Sequence, residues 1–127
     1  MIIQSNPLNI RYSSKNNWKG LIGNQNGFCV FYDDAFCYRA GLYILHSYFR
    51  RGILLLEDII ETWAPPSEND TEAYVSYLCS RFKCSRYASM CGREYGLLSA
   101  MAQFESGTRI SAIEVKYKII HANSKLL

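Results

Sequence analysis

Apolar residues recur at the spacing of an α-helix after the paired Asp33 and Asp34, and this pattern constrains the fold more than any other. These residues are Phe36, Cys37, Ala40, Ile44, Leu45 and Tyr48. Aspartate is a favoured N-cap, and Gly52 follows the pattern where a helix typically ends. The segment therefore predicts a long amphipathic helix. With 127 residues in the chain, there is room for one compact core, so we predict a single domain over residues 1–127.

Two further helices are predicted around a pair of prolines. Residues 55–63 show helical spacing, and Pro65 and Pro66 must end that helix because proline has no N–H to donate and restricts the residue before it. Asn69 is followed three residues later by Glu72, a spacing that allows the two side chains to cap a helix start reciprocally. We therefore expect a new helix to begin here.

Two more helices are predicted in the last third of the chain. Residues 97–105 are strongly apolar and are followed by Gly107, a typical helix stop. Such a helix should be the central and most buried one. Ser111 with Glu114 forms a second capping box. It opens a last helix, which carries Ile113, Tyr117 and Ile120 at helical spacing.

The N-terminal part of the chain predicts a small β-hairpin. Residues 28–32, which follow Gly27, are the clearest strand candidate, and residues 10–12 are a short strand that could pair with it. The predicted fold class is therefore α+β, mainly α, with about five helices and a small β-hairpin.

Charge and cysteine usage exclude several function classes. The net charge is +3, but the basic residues are scattered, which predicts no nucleic-acid partner. The five cysteines form no CxxC pair, and no histidine lies near them at the spacing of metal ligands. We therefore predict that the thiols are reduced and that the protein has no metal site and no cofactor. No stretch approaches the roughly 18 apolar residues of a membrane span, and the start lacks a signal-peptide pattern. These features predict synthesis in the cytoplasm and no membrane partner.

Two sequence motifs indicate a protein family more specifically than composition does. Residues 6–11 are NPLNIR and residues 63–71 are WAPPSENDT, with Trp18, Gly27 and Tyr74 among the landmarks around them. Their order and spacing resemble a family from phage and prophage genomes whose members are often labelled virion structural proteins. That family usually begins with NPGNIR, so Leu8 departs from it where glycine gives the turn its backbone freedom.

The same landmarks are similar to the middle and end of a glucosaminidase or lytic-transglycosylase domain. In those enzymes the catalytic glutamate precedes the landmarks, at the C-terminal end of a helix and within Glu-Ser-Gly. Here residues 97–107, LLSAMAQFESG, are similar to that helix but come last. The resemblance implies a circularly permuted lysozyme-like fold with Glu105 as the catalytic acid.

The chemistry suits a glutamate at this position. Cleavage of a glycosidic bond needs a carboxylic acid that stays protonated near neutral pH, and apolar surroundings raise the pKa of a carboxyl. Lytic transglycosylases, as a family, use one glutamate as both acid and base. The alternative is that Glu105 is a solvated carboxylate at a helix end. Glu68 and Asp70 are either capping residues behind the two prolines or a second carboxylate at the cleft.

The other candidate substrate-binding residues each have a structural alternative. Tyr74 would stack on a sugar or donate a hydrogen bond to it. Trp18 and Trp63 are either core anchors or platforms for sugar rings. Asn6 and Asn9 either close a local turn or bind an N-acetyl group.

The sequence thus predicts a protein of phage or mobile-element origin that binds bacterial peptidoglycan and cleaves its glycan, as a lysozyme or lytic transglycosylase does. Its partners would be glycan strands and proteins of a phage or a secretion machine, and it would act at the cell wall or in a virion. The alternative is a non-catalytic virion structural or protein-interaction module that keeps the fold.

Overall fold

Five helices and one β-hairpin make up residues 5–126, the part of the chain that the computed structural model describes. Strands β1 and β2 pair antiparallel and precede all the helices. The elements are β1 Leu21–Gln25, β2 Phe28–Phe31, α1 Asp34–Arg50, α2 Leu56–Trp63, α3 Thr71–Phe82, α4 Glu94–Ser106 and α5 Ala112–Ser124. The predicted class, α+β and mainly α with a small hairpin, is confirmed.

Local signals set most of the helix ends. The Asp33 side chain accepts a hydrogen bond from the Ala35 N–H at 2.8 Å and caps α1. The predicted capping box of Ser111 and Glu114 forms at the start of α5. Gly107 ends α4 with a φ of 73°, a conformation that costs glycine little because it has no Cβ.

The cap of α3 differs from the prediction by one residue. Asp70 accepts from the Ala73 N–H at 3.1 Å, whereas the Asn69 amide donates to the Pro65 carbonyl oxygen. Glu72 points away from the helix start and pairs with Arg86. Asn69 and Glu72 therefore do not form a reciprocal cap, because each has a stronger local or tertiary partner.

The hairpin partner of β2 also differs from the prediction. β1 takes that position, while residues 10–12 contribute one isolated bridge, between Arg11 and Phe28. The reason is the turn: Asn26 and Gly27 both adopt positive φ, 53° and 88°, which closes a two-residue hairpin loop. A loop of two residues pairs the segments that directly flank it.

α4 lies at the centre of the helical part, as predicted. It packs against α1, α3 and α5 and buries every residue from 97 to 102. The longer α1 contributes more buried residues, so the prediction that α4 is the most buried helix is wrong. Phe104, expected inside, is 38% exposed and stacks on Tyr74 with ring centroids 4.1 Å apart.

α5 buries a different face from the one that carries Ile113, Tyr117 and Ile120. Those three side chains are 60%, 62% and 52% exposed. The buried residues of α5 are Val115, Ile119 and Ala122. Both stripes have helical spacing, and the docking of α5 on α1 and α4 selects between them.

The five cysteines are unpaired in the structure, and Cys29 and Cys37 are buried. That all five are reduced in the native protein stays a prediction. Between residues 5 and 126, no helix is long and apolar enough to span a membrane.

Candidate functional site

Glu105 lies in the last turn of α4 and faces a solvent-open groove of about 250 Å³. The groove is formed where the N-terminal segment, α1 and the end of α2 meet α4. Its lining residues are Asn9, Ile10, Arg11, Asn16, Phe28, Ile44, Tyr48, Trp63, Ala64, Asn69 and Glu105. Among the residues described, Glu105 is the one carboxylate in this lining.

The N-terminal segment is fixed to the end of α4 by side-chain hydrogen bonds. The Ser106 hydroxyl donates to the Pro7 carbonyl oxygen at 2.8 Å. The Asn9 amide donates to the Glu105 carbonyl oxygen at 2.9 Å and to its Oε1 at 3.2 Å. Asn9 has a φ of 50°, a left-handed conformation that asparagine tolerates better than most residues. This conformation turns its amide towards a residue 96 positions away.

The pKa of Glu105 is raised above that of an ordinary glutamate, and burial is the main cause. The side chains of Asn9, Tyr74 and Trp63 act in the opposite direction, because donors near the carboxyl favour its charged form. The more distant charge of Arg11 also lowers the pKa. Burial outweighs these contacts, so Glu105 retains its proton at higher pH than a solvated carboxyl.

Tyr74 supports Glu105 from the protein interior and cannot stack on a sugar. Its side chain is 2% exposed and its ring is covered by Phe104. The buried hydroxyl makes no hydrogen bond of ordinary geometry. Burial and the neighbouring Glu105 carboxyl raise the pKa of Tyr74 well above its usual value. Tyr74 therefore stays neutral beside Glu105.

Trp63 and Asn9 are the predicted binding residues that the structure brings into the groove with Glu105. Asn6 does not reach it. The Asn6 amide donates to the carbonyl oxygens of Ile10 and Cys29, and its own oxygen accepts from the Ile10 N–H. All these bonds are buried, so Asn6 closes the local turn, the structural alternative for this residue.

Trp18, Glu68 and Asp70 lie outside the groove. Trp18 is half-buried against the core and lines a neighbouring depression. Asp70 is exposed and caps α3. Glu68 is exposed and comes within 4.0 Å of the Arg11 guanidinium. Neither carboxylate lines the groove as the predicted second carboxylate would.

No protein-family model matches this chain, but a curated phage protein is similar to it. The relative is Protein P5 of Pseudoalteromonas phage PM2, 33% identical over 110 residues. The aligned part covers 82% of this chain and 69% of Protein P5. This chain belongs to the family of Protein P5. The phage part of the sequence-based prediction is thereby supported, while the name of the relative states no activity.

In this member of the Protein P5 family, several groove residues were not predicted as binding residues. Arg11 lies over the Phe28 ring, 5.1 Å from its centroid, and Tyr48 forms part of the wall on α1. Both belong to the motifs and landmarks that resemble phage virion proteins, so that resemblance was the available signal. Asn16 lies in a polar segment without any motif, and only the tertiary structure identifies it.

Proposed function

We propose that this phage-family protein binds the glycan strands of bacterial peptidoglycan and cleaves them, with Glu105 as the general acid. The observation that carries the proposal is the setting of Glu105: a half-buried carboxyl with a raised pKa, in a groove with Trp63 and Asn9. A protonated carboxyl can donate to a glycosidic oxygen. An indole ring offers a face for a sugar, and an amide can bind an N-acetyl group.

The connectivity around Glu105 is consistent with a permuted lysozyme-like arrangement. In the lysozyme-like enzymes that the sequence resembles, the catalytic helix comes first and an Asn-rich segment with a strand follows. Here α4 is late in the chain, yet residues 7 and 9 bond directly to its C-terminal end. The hairpin of β1 and β2 follows that segment in sequence. This spatial order supports the proposed permutation.

A lytic-transglycosylase reaction suits a groove with one lining carboxylate. Glu105 would donate its proton to the oxygen that links two sugars, and that bond would break. A hydroxyl of the same sugar would then attack the anomeric carbon and return a proton to Glu105. This reaction consumes no water and needs no second carboxylate, unlike most glycoside hydrolysis.

A second candidate is the non-catalytic virion protein. The Asn9 amide already occupies Oε1 of Glu105. The groove is also smaller than the roughly 300–1,000 Å³ of typical ligand pockets. Both observations suit a carboxyl that fixes the N-terminal segment to α4, with a role in assembly.

The deciding experiment measures release of soluble glycan from purified sacculi by the wild type and by Glu105→Gln. The substitution keeps the shape of the side chain but removes its transferable proton. We expect the rate to fall by about 10²–10⁴-fold, the usual contribution of a positioned acid. Mass spectrometry of the products would distinguish anhydro ends from hydrolysed ends, which are heavier by one water.

Glu61→Gln is the matched control, because Glu61 is exposed on α2 and the change in charge is the same. Its rate should equal that of the wild type. Equal, non-zero rates for wild type and Glu105→Gln would refute Glu105 as the acid and redirect the search to Glu68 and Asp70. No release by any of the three proteins would favour the virion structural protein.

A further inference from the structure

A shallow depression adjoins the groove at Asn16, which lines both spaces. The depression is lined by Lys15, Asn16, Asn17, Trp18, Lys19, Arg39 and Tyr43. We call its three cations, Lys15, Lys19 and Arg39, the basic extension. No side-chain carboxylate of the described residues is part of this lining.

Two cations of the basic extension are held in place by neutral groups. The Arg39 guanidinium donates through Nε to the Asn123 side-chain oxygen at 2.7 Å and lies 4.4 Å from the Tyr43 ring centroid. The Lys19 ammonium donates to the Asn123 carbonyl oxygen at 3.2 Å. Between residues 5 and 126, none of the three cations forms an ion pair with a carboxylate. The charges of Arg39 and Lys19 are therefore fixed in position, and no side-chain carboxylate of the described residues neutralises them.

The described linings of the groove and the depression contain more cations than carboxylates. Arg11 adds a fourth cation at the groove, and its side chain is 59% exposed, with Glu68 at the limit of ion-pair distance. Glu105 is the one carboxylate of the groove lining in the described part of the chain. Uncompensated cations beside a binding groove attract anionic groups on the ligand and select for them.

We propose that the basic extension binds carboxylates carried by the peptidoglycan strand while the sugars occupy the groove. This inference rests on the proposed function, since it takes a glycan to be the occupant of the groove. Peptidoglycan bears free carboxylates on its stem peptides, and a sugar that has lost its peptide bears one on its lactyl group, because the lactyl carboxyl is otherwise an uncharged amide. Both carboxylates offer the same chemistry to a cation. The basic extension would thus make the protein select an acidic glycan over a neutral one.

A nucleic acid fits the surface less well. Non-specific binding of a phosphate backbone draws on many cations along a continuous track, and this depression holds three. The extension also adjoins the groove that contains Glu105, with Asn16 in both linings, as expected for two parts of one site. The test below therefore includes single-stranded DNA as a competing ligand.

The experiment measures binding to sacculi by co-sedimentation, with Glu105→Gln as the parent so that cleavage does not remove the ligand. The test variant adds Lys15→Gln, Lys19→Gln and Arg39→Gln. The control variant adds Arg50→Gln, Lys83→Gln and Lys116→Gln, which removes the same charge from exposed positions elsewhere. Exposed ion pairs are individually weak, so we expect about tenfold weaker binding from the three together. The control should bind as its parent does.

Three ligands distinguish the source of the effect. Chitin has no carboxylates, so the test and control variants should bind it equally. An amidase removes the stem peptides from the glycan strands and frees one lactyl carboxylate on each stripped sugar; these strands, coupled to beads, replace sacculi in the same co-sedimentation. A persisting difference between the variants shows that the basic extension binds the lactyl carboxylate, and its loss assigns the contact to the peptide. Tighter binding to single-stranded DNA than to sacculi, at the same salt concentration, would overturn the proposal.

Equal binding of the test and control variants to sacculi, or no binding by their parent, would also overturn it. Lys15→Glu in the same parent is a second variant that leaves both contacts of Asn123 intact, and it should weaken binding to sacculi several-fold. The proposed function fails separately, if wild-type protein releases no glycan. Cleavage with equal binding of the two variants would keep the function and reject the basic extension.

Discussion

Asn9 links the fold to the candidate site, and replacing it tests both. Its backbone has a φ of 50° and its amide donates twice to Glu105. Asn9→Gly removes the amide but accepts the backbone conformation. Asn9→Ala removes the amide and also places a Cβ in a left-handed conformation. The two variants therefore separate the hydrogen bonds from the backbone strain.

The structure gives the expected size of each effect. Loss of the donor to Glu105 should cost about 1–2 kcal/mol, since part of the bond is recovered by water. Glycine adds up to about 1 kcal/mol by increasing the entropy of the unfolded chain. Alanine adds about 1–2 kcal/mol of left-handed strain. We expect total losses of about 2 kcal/mol for Asn9→Gly and about 3 kcal/mol for Asn9→Ala.

Asn26 provides the matched control. It has nearly the same φ, 53°, but lies exposed in the hairpin turn, and its side chain donates no hydrogen bond within the described part of the chain. Asn26→Gly should therefore lose only the entropy contribution, up to about 1 kcal/mol, whereas Asn26→Ala should show the strain alone.

Urea unfolding gives the free energy of unfolding of wild type and of the two Asn9 and two Asn26 variants. A carbon-13 titration gives the pKa of Glu105. Because Asn9 lowers that pKa, it should rise further in both Asn9 variants. If Asn9→Gly were as stable as Asn26→Gly, with the pKa of Glu105 unchanged, the contact between Asn9 and Glu105 would be refuted.

Two further predictions concern the core and pH. Gly41→Ala should destabilise by about 1–2 kcal/mol, because overpacking outweighs the gain in helix propensity; the new Cβ would lie 2.6 Å from Leu8 Cδ1. Gly96→Ala, where the nearest side-chain atom is 3.8 Å away, should be neutral or stabilising in the same urea unfolding experiment. Because the pKa of Glu105 is higher in the folded than in the unfolded protein, the protonated side chain adds to the free energy of unfolding. This contribution is fully present at pH values below the unfolded pKa and is lost as the pH rises through the folded pKa. Urea unfolding across that range should show wild type losing stability relative to Glu105→Gln; a constant difference would contradict the raised pKa.

Local signals in the sequence were sufficient for the five helices and for most of their ends. Asp33, Ser111 with Glu114, and Gly107 act on backbone groups within a few residues, so their effect can be read without the rest of the fold. The same holds for Pro65 and Pro66, which separate α2 from α3 wherever these helices pack. The fold class followed from these elements.

The sequence also selected Glu105, Asn9 and Trp63, but it did so through resemblance to known motifs. It could not show that they meet, because Asn9 and Glu105 are 96 positions apart and nothing local joins them. Asn6 illustrates the opposite outcome. It is also an asparagine and lies three positions from Asn9, but its side chain is fully hydrogen-bonded to backbone groups inside the core.

Tertiary packing decided the structural features for which the local sequence allowed two alternatives. α5 carries two apolar stripes, and contact with α1 and α4 buried Val115, Ile119 and Ala122 while leaving Tyr117 exposed. The raised pKa of Glu105 likewise depends on burial by distant segments. The strand partner of β2, by contrast, followed from the local Asn26-Gly27 turn, which pairs β2 with β1 rather than with residues 10–12. Helix ends and the hairpin depend on neighbours in sequence, whereas buried faces and acidity depend on neighbours in space.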